Sequence, residues 1–199
     1  MSYSDFTYHS IRRLFGKIET QVSLFGTAAE IPPNAWLLET LERGRPFAYV
    51  SEKARSESIV WPILLACREL LDGACSIYSG VRLDVDAEKG LKGECDFLLT
   101  RTSPEPEPNA PLVVVVEAKQ NDIEGGLGQC AAQMLGAARF NEIEKQPIEP
   151  IYGCVTTGDG WQFLRLEGDR LWIDRERYYL RDLGKLLGIF VSILKKTGS

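Results

Sequence analysis

The sequence predicts an α/β fold: a layered domain with a central mixed sheet flanked by helices. Three observations carry this expectation. Three strand-like segments follow one another at residues 76–86, 94–101 and 112–119. Segments of helical periodicity stand on either side, at 51–71 and from 127 to about 140. A fourth strand-like segment, 151–157, comes after the second helix. The order is therefore helix, three strands, helix, strand, in which the strands form a meander and the second helix crosses over to strand four.

The first quarter is expected to be helical. From residue 5 to about 25, Phe6, Ile11, Leu14, Phe15, Ile18 and Val22 suit an amphipathic helix with Arg12, Arg13 and Lys17 outside. Those bases form a phosphate-contacting edge or, more simply, a solvated face. Ile31-Pro32-Pro33-Asn34 breaks the chain, and a short helix at 36–42 ends at the Gly44-Arg45-Pro46 turn. The next helix, 51–71, carries Val60, Ile63, Leu64, Cys67, Leu70 and Leu71 in one stripe, and Pro62 marks a kink or a late start. Glu57 extends that stripe toward the sheet, either snorkelling at the helix end or aimed at a site. Glu52 is nearby and less well aligned.

The first strand contains Ile77, Tyr78, Val81, Leu83 and Val85 with Gly80 and Asp84 between them, and 88–90 turns the chain. Pro104, Pro106, Pro108 and Pro111 make the loop after strand two stiff, exposed and acidic. Leu112 to Val116 is an apolar, β-branched run of the kind buried on both faces of a sheet. Leu127, Ala131, Met134, Leu135 and Ala138 give the following helix its buried face. The preceding Gly125-Gly126-x-Gly128 lacks the lysine of a nucleotide loop and reads as helix-start geometry. A hairpin around Gly168-Asp169, with Trp161 and Phe163 directed to the core, and a helix from Tyr179 complete the chain. One domain over residues 1–199 is expected, with a core at 51–157, an N-terminal helical extension at 1–50 and a C-terminal hairpin and helix at 158–199.

Composition narrows the function classes. With 44% hydrophobic and 26% charged residues, the chain can build a full core. Its formal charge of −5 argues against a wholly basic nucleic-acid coat, while leaving room for a local basic groove. The five cysteines are scattered, odd in number and free of any CxxC pair, which suits buried thiols in a reducing cytoplasmic setting. His9 is the sole histidine, so triads with an internal histidine and HExxH zinc sites are excluded. No signal sequence is visible, and the apolar stretch 183–194 is short of the roughly 20 residues that a membrane span needs, so no membrane partner is expected.

The chemistry concentrates between Gly93 and Gln133. A strand buried on both faces should not end in charge, yet this one ends Glu117-Ala118-Lys119. Alternation sends Glu117 and Lys119 to one side. Asp96 interrupts the neighbouring strand just before Phe97-Leu98-Leu99. Phosphodiester hydrolysis needs phosphate charge neutralised and a deprotonated water held in line, and hard cations seek carboxylate and carbonyl oxygens. Asp96, Glu117 and the Ala118 carbonyl are the candidate ligands for Mg²⁺ or Mn²⁺, with Glu57 completing the set from the helix. Lys119 would orient the attacking water or stabilise developing negative charge. The bland alternatives are a strand-end ion pair, worth ~0–1 kcal/mol if exposed, and a turn-capping aspartate.

Asp96 followed by Glu117-Ala118-Lys119, in this order of elements, resembles the PD-(D/E)xK, restriction-endonuclease-like nuclease superfamily. The resemblance spans roughly residues 51–157. It implies an αβββαβ core and Mg²⁺-dependent hydrolysis of DNA, with Asp96, Glu117, Lys119 and Gln133 catalytic. Glu57 matches the family's helix-borne acid. Gln129 and Gln133, one helical turn apart, match its glutamine helix and would approach the metal or the substrate phosphate. Cys95 stands where many members have proline, and QxxxQ lacks the tyrosine of one branch. A homodimer or a partner subunit would supply specificity. The alternative is a catalytically inactive domain of the same fold that binds nucleic acid or protein.

Overall fold

The apolar run beginning at Leu112 lies inside a mixed, eight-stranded sheet, with every residue of its strand buried. The computed structural model describes residues 1–195. In chain order the elements are a 3-10 turn (Tyr3–Asp5), α1 (Tyr8–Ile11), β1 (Lys17–Val22), α2 (Ala35–Gly44), α3 (Glu52–Arg55), a π-helical turn (Ser56–Val60) and α4 (Trp61–Leu70). There follow β2 (Ser76–Arg82), β3 (Glu94–Thr100), β4 (Leu112–Ala118), α5 (Ile123–Ile143) and β5 (Ile151–Thr156). The last are β6 (Gly160–Glu167), β7 (Arg170–Asp174), β8 (Tyr178–Tyr179), a second 3-10 turn (Leu180–Asp182) and α6 (Leu183–Leu194).

The strands run in the order β1-β7-β6-β5-β4-β3-β2, with β8 paired to β6. β2, β3 and β4 form the expected antiparallel meander. α5 carries the chain across to β5, which pairs parallel with β4, as a helical crossover requires. The sheet is packed on both faces. On one, Ile63, Leu64, Phe97, Val114, Phe163 and Phe190 join the sheet to α4 and α6. On the other, Phe6, Ile11, Leu98, Val115, Ala131 and Met134 join it to α5 and the N-terminal segment. Each of these side chains larger than alanine contributes about 1.5–3 kcal/mol by leaving water.

The N-terminal quarter corrects the helical expectation. Residues 5–25 form only short turns and the edge strand β1, which pairs parallel with β7. Ile18, Thr20 and Val22 carry a period of two over the last part of the segment, and Gly16 ends the helical register just before it. Lys17 and Glu19, two residues apart on this edge, pair at 2.9 Å, and charge there discourages further strand addition. The first 22 residues thus belong to the main sheet and to the core under α5 instead of forming a helical extension.

The expected helix at 51–71 forms, with a π turn inside it. Pro62 has no N–H to return to Ser58, and the Trp61 N–H reaches back to the Ser56 carbonyl instead. The final helix starts at Leu183, later than expected, because Tyr178–Tyr179 pair with β6. Among the described residues no helix is long and apolar enough to cross a membrane, and all five cysteines are buried and free.

Candidate functional site

The site is built where β3 and β4 part. Their register pairs Phe97 with Val116 and stops. One step further would set Asp96 opposite Glu117, but the strands separate there. The Ala118 N–H donates to Asp96 Oδ2 at 2.8 Å in place of a main-chain carbonyl. A carboxylate thus fills the next rung of the ladder, and the sheet opens into a cleft.

Strand alternation also breaks at this point. Residues two apart should share a face. Yet Ile77 packs on the α4 side and Val81 on the α5 side, while on β3 Phe97 faces the α4 side and Cys95 the α5 side. Gly80, which the register sets opposite Asp96, has a φ of +63°, a conformation that glycine adopts without steric cost. Asp96 occupies the crossing point between the two faces.

At the end of β4 the expected alternation holds. Glu117 and Lys119 both face α5, and Lys119 Nζ lies 2.7 Å from Glu117 Oε1. Lys119 also donates to Gln129 Oε1 at 2.9 Å. Gln133 donates from Nε2 to Glu117 Oε2 at 2.8 Å, and its own Oε1 is buried without a partner. The i, i+4 spacing of the two glutamines therefore gives one partner to each member of the Glu117–Lys119 pair.

Electrostatics follow from the burial. Glu117 is 2% exposed. Its pKa is pushed up to about 7, first by burial and then by the Asp96 charge, with Lys119 and Gln133 pulling it back in part. Burial likewise raises Asp96 above the usual carboxylate range, reinforced by Glu52 and Glu94 and opposed by the Ala118 N–H and Lys119. Burial alone would lower Lys119, but Glu117, Glu52 and Asp96 outweigh it and hold the ammonium above its ordinary value. Two carboxylates that resist ionising side by side, next to a firmly protonated lysine, form a site that gains from an added cation.

A cavity of about 440 Å³ opens on this arrangement, lined by Asp96, Glu117, Lys119 and Gln129 together with Glu52 and Tyr3. Asp96, Glu94 and Glu52 also line an adjoining groove of about 640 Å³, beside Trp61. Glu57 lines only that groove. Its side chain is 67% exposed, 4.0 Å from Lys53, and it does not border the cavity of Glu117 and Lys119. Glu57 lies inside the π turn, whose wider spacing departs from α-helical alignment, and Glu52, before the turn, borders the cavity instead.

Two further contributors escaped the sequence reading. Tyr3 and its neighbours wall the cavity because the Tyr3 N–H is held by the Lys92 carbonyl at 2.9 Å, a contact between distant residues with no local signal. Arg55, 5% exposed, donates from Nη1 to the Lys119 carbonyl at 3.4 Å and from Nε to the Ala48 carbonyl at 3.2 Å, tying the helix to the end of β4. Its signal was slight: an arginine one helical turn before Ile59, in the part of the helix that precedes the apolar stripe.

Among the described residues no group of three or more His, Cys, Asp or Glu side chains is gathered closely enough to hold a metal ion. Mg²⁺ is commonly held by only one or two carboxylates, together with waters and substrate phosphate. Asp96 and Glu117 fit that smaller donor set. The Ala118 N–H points to the β3 side, and in an extended strand its carbonyl points the same way. No protein-family model matches the chain, and no curated protein matches it.

Proposed function

We propose that the protein is a metal-dependent nuclease of the PD-(D/E)xK, restriction-endonuclease-like type that hydrolyses DNA phosphodiester bonds. The observation that carries this reading is the Asp96 carboxylate replacing a rung of the β3–β4 ladder beside the Glu117–Lys119 pair, at the mouth of one cavity. The element order α3–α4, β2, β3, β4, α5, β5 supports the corresponding αβββαβ core.

Asp96 and Glu117, with the Ala118 carbonyl beside them, would hold Mg²⁺ or Mn²⁺, and Glu52 is better placed than Glu57 to add a carboxylate. Such an ion supplies neutralisation of phosphate charge and a lower pKa for water. Lys119, protonated at neutral pH, would orient the attacking water and meet the negative charge that develops on the phosphate. Gln129 and Gln133 fix the two charged side chains and so act as positioning residues.

A second reading, a domain of this fold that binds without cutting, is favoured by one observation. Both Glu117 oxygens are already engaged, by Lys119 and by Gln133. One experiment separates the two. Purified protein is incubated with single- and double-stranded DNA and Mg²⁺ or Mn²⁺, alongside Lys119→Ala and Asp96→Asn. Metal-dependent cleavage that both substitutions abolish supports the nuclease. Absence of cleavage of any nucleic acid by the unaltered protein sinks it.

A further inference from the structure

Residues 43–55 differ from the rest of the chain in charge and in exposure. The whole sequence carries −5, yet this stretch holds Arg43, Arg45, Lys53 and Arg55 against the single acid Glu52. Arg43 pairs with Glu39, Lys53 lies 4.0 Å from Glu57 and Arg55 is buried, so Arg45 and the well-exposed Lys53 are the cations offered to a ligand. The loop that joins α2 to α3 exposes Phe47, Tyr49 and Val50 by 63%, 56% and 74%. Large apolar side chains grouped in water mark a contact surface.

The loop is anchored at the candidate site. The Ala48 carbonyl accepts from Arg55 Nε, the Arg55 guanidinium lies 5.8 Å from the Tyr49 ring centroid, and Arg55 Nη1 donates to the Lys119 carbonyl. Glu52, two residues beyond Val50, lines the cavity that holds Asp96 and Glu117. The Tyr49 ring and the Ala48 carbonyl are therefore joined through one arginine to the strand end that carries the proposed chemistry.

We propose that this loop is the single-strand-binding edge of the site: unpaired bases of DNA stack on Phe47 and Tyr49, and the adjoining phosphates lie against Arg45 and Lys53. The assignment rests on the nuclease reading and names the form of substrate. Aromatic faces interleaved with cations suit a single strand, because each base offers a π-face and each phosphate a charge, whereas a duplex keeps its base faces stacked inside.

The test uses the full chain in chelator, with a fluorescein-labelled oligothymidylate and a duplex of equal length as probes, read by anisotropy. The unaltered protein should bind the single strand more tightly than the duplex. The double variant Phe47→Ala, Tyr49→Ala should weaken single-strand binding by about thirtyfold or more. The pair Phe47→Trp, Tyr49→Trp should restore it. Both side chains are more than half exposed, so an unchanged melting temperature should accompany the loss. Single-strand affinity unaltered in the alanine variant overturns the proposal. So does binding to phosphatidylglycerol vesicles in place of the oligonucleotide. Cleavage assays on the same preparations separate the two readings: a protein that cuts DNA while the alanine variant keeps full affinity overturns only the loop assignment, and one that neither cuts nor binds overturns both.

Discussion

Lys119 Nζ lies 2.7 Å from Glu117 Oε1, and the strand period brings both side chains to the α5 face of β4. Glu117 is 2% exposed, so this ammonium is what makes its charged form tolerable inside the protein. Lys119→Met keeps the length of the side chain and removes the charge. At pH 8 the variant should lose about 1.5–3 kcal/mol, the range for a hydrogen bond to a charged partner. Glu117 is protonated at pH 5, where the loss should shrink. Thermal melts at the two pH values check this. An equal loss at both would show that the pair contributes packing alone.

The pH dependence of stability has a definite sign. The Glu117 pKa rises on folding from 4.5 to about 7, with burial the largest cause and Asp96 the next. Between those values the native state holds a proton that the unfolded chain has released, so stability falls as pH rises through this window and is level above it. Asp96, also raised, acts in the same direction. Melting temperature should therefore decline between pH 5 and pH 7.5, and Glu117→Gln should flatten the decline. Mg²⁺ competes with the proton for these carboxylates, so it should raise the melting temperature more at pH 8 than at pH 5.5. A metal effect independent of pH would count against Asp96 and Glu117 as its ligands.

Gln133 tests whether α5 tunes the site. Its amide donates to Glu117 Oε2 at 2.8 Å from a fully buried position. Gln133→Leu preserves apolar volume and withdraws a donor that favours the carboxylate. The Glu117 pKa should move further up, and any cleavage activity should shift to higher pH, with a stability cost of about 1–3 kcal/mol at pH 8. A purely structural role would lower stability and leave the pH profile in place.

The sequence showed the interior of this sheet more plainly than its margins. Leu112–Val116 could only be a strand buried on both faces, and the charges after it could only lie at its end, so Glu117 and Lys119 were legible. The helical spacing of Gln129 and Gln133 was legible for the same reason: one period governs all of α5. The N-terminus was not. Phe6, Ile11 and Phe15 bury against α5, a partner more than a hundred residues away, and helix-like spacing among them arises from separate turns packing on one surface. Glu57 stands apart from Glu117 and Lys119, though it shares a groove with Asp96, for a narrower reason. The period of 3.6 was carried through Ser56–Val60, where Pro62 widens the turn and sets Glu52 facing Asp96 and Lys119. Loss of alternation at Gly80 and Asp96 had a visible trace, a glycine inside a strand, which often marks a local break in the ladder.

The N-terminal wall of the cavity depends on one close approach. Gly128 of α5 lies against the main chain of Phe6 and Thr7, and a Cβ there would fall 2.5 Å from the Phe6 carbonyl oxygen. Alanine is the better helix former by about 1 kcal/mol, so propensity alone would make Gly128→Ala stabilising. The opposing atoms are main chain and cannot rotate away, so the N-terminal segment must move instead. Overpacking of this kind typically costs about 1–3 kcal/mol, enough to outweigh the gain in propensity. The variant should melt at a lower temperature, and its first residues, including Tyr3 at the cavity wall, should become accessible to protease before the rest of the chain. A rise in melting temperature with an uncut N-terminus would mean that this segment yields without loss, and that Tyr3 is no fixed part of the site.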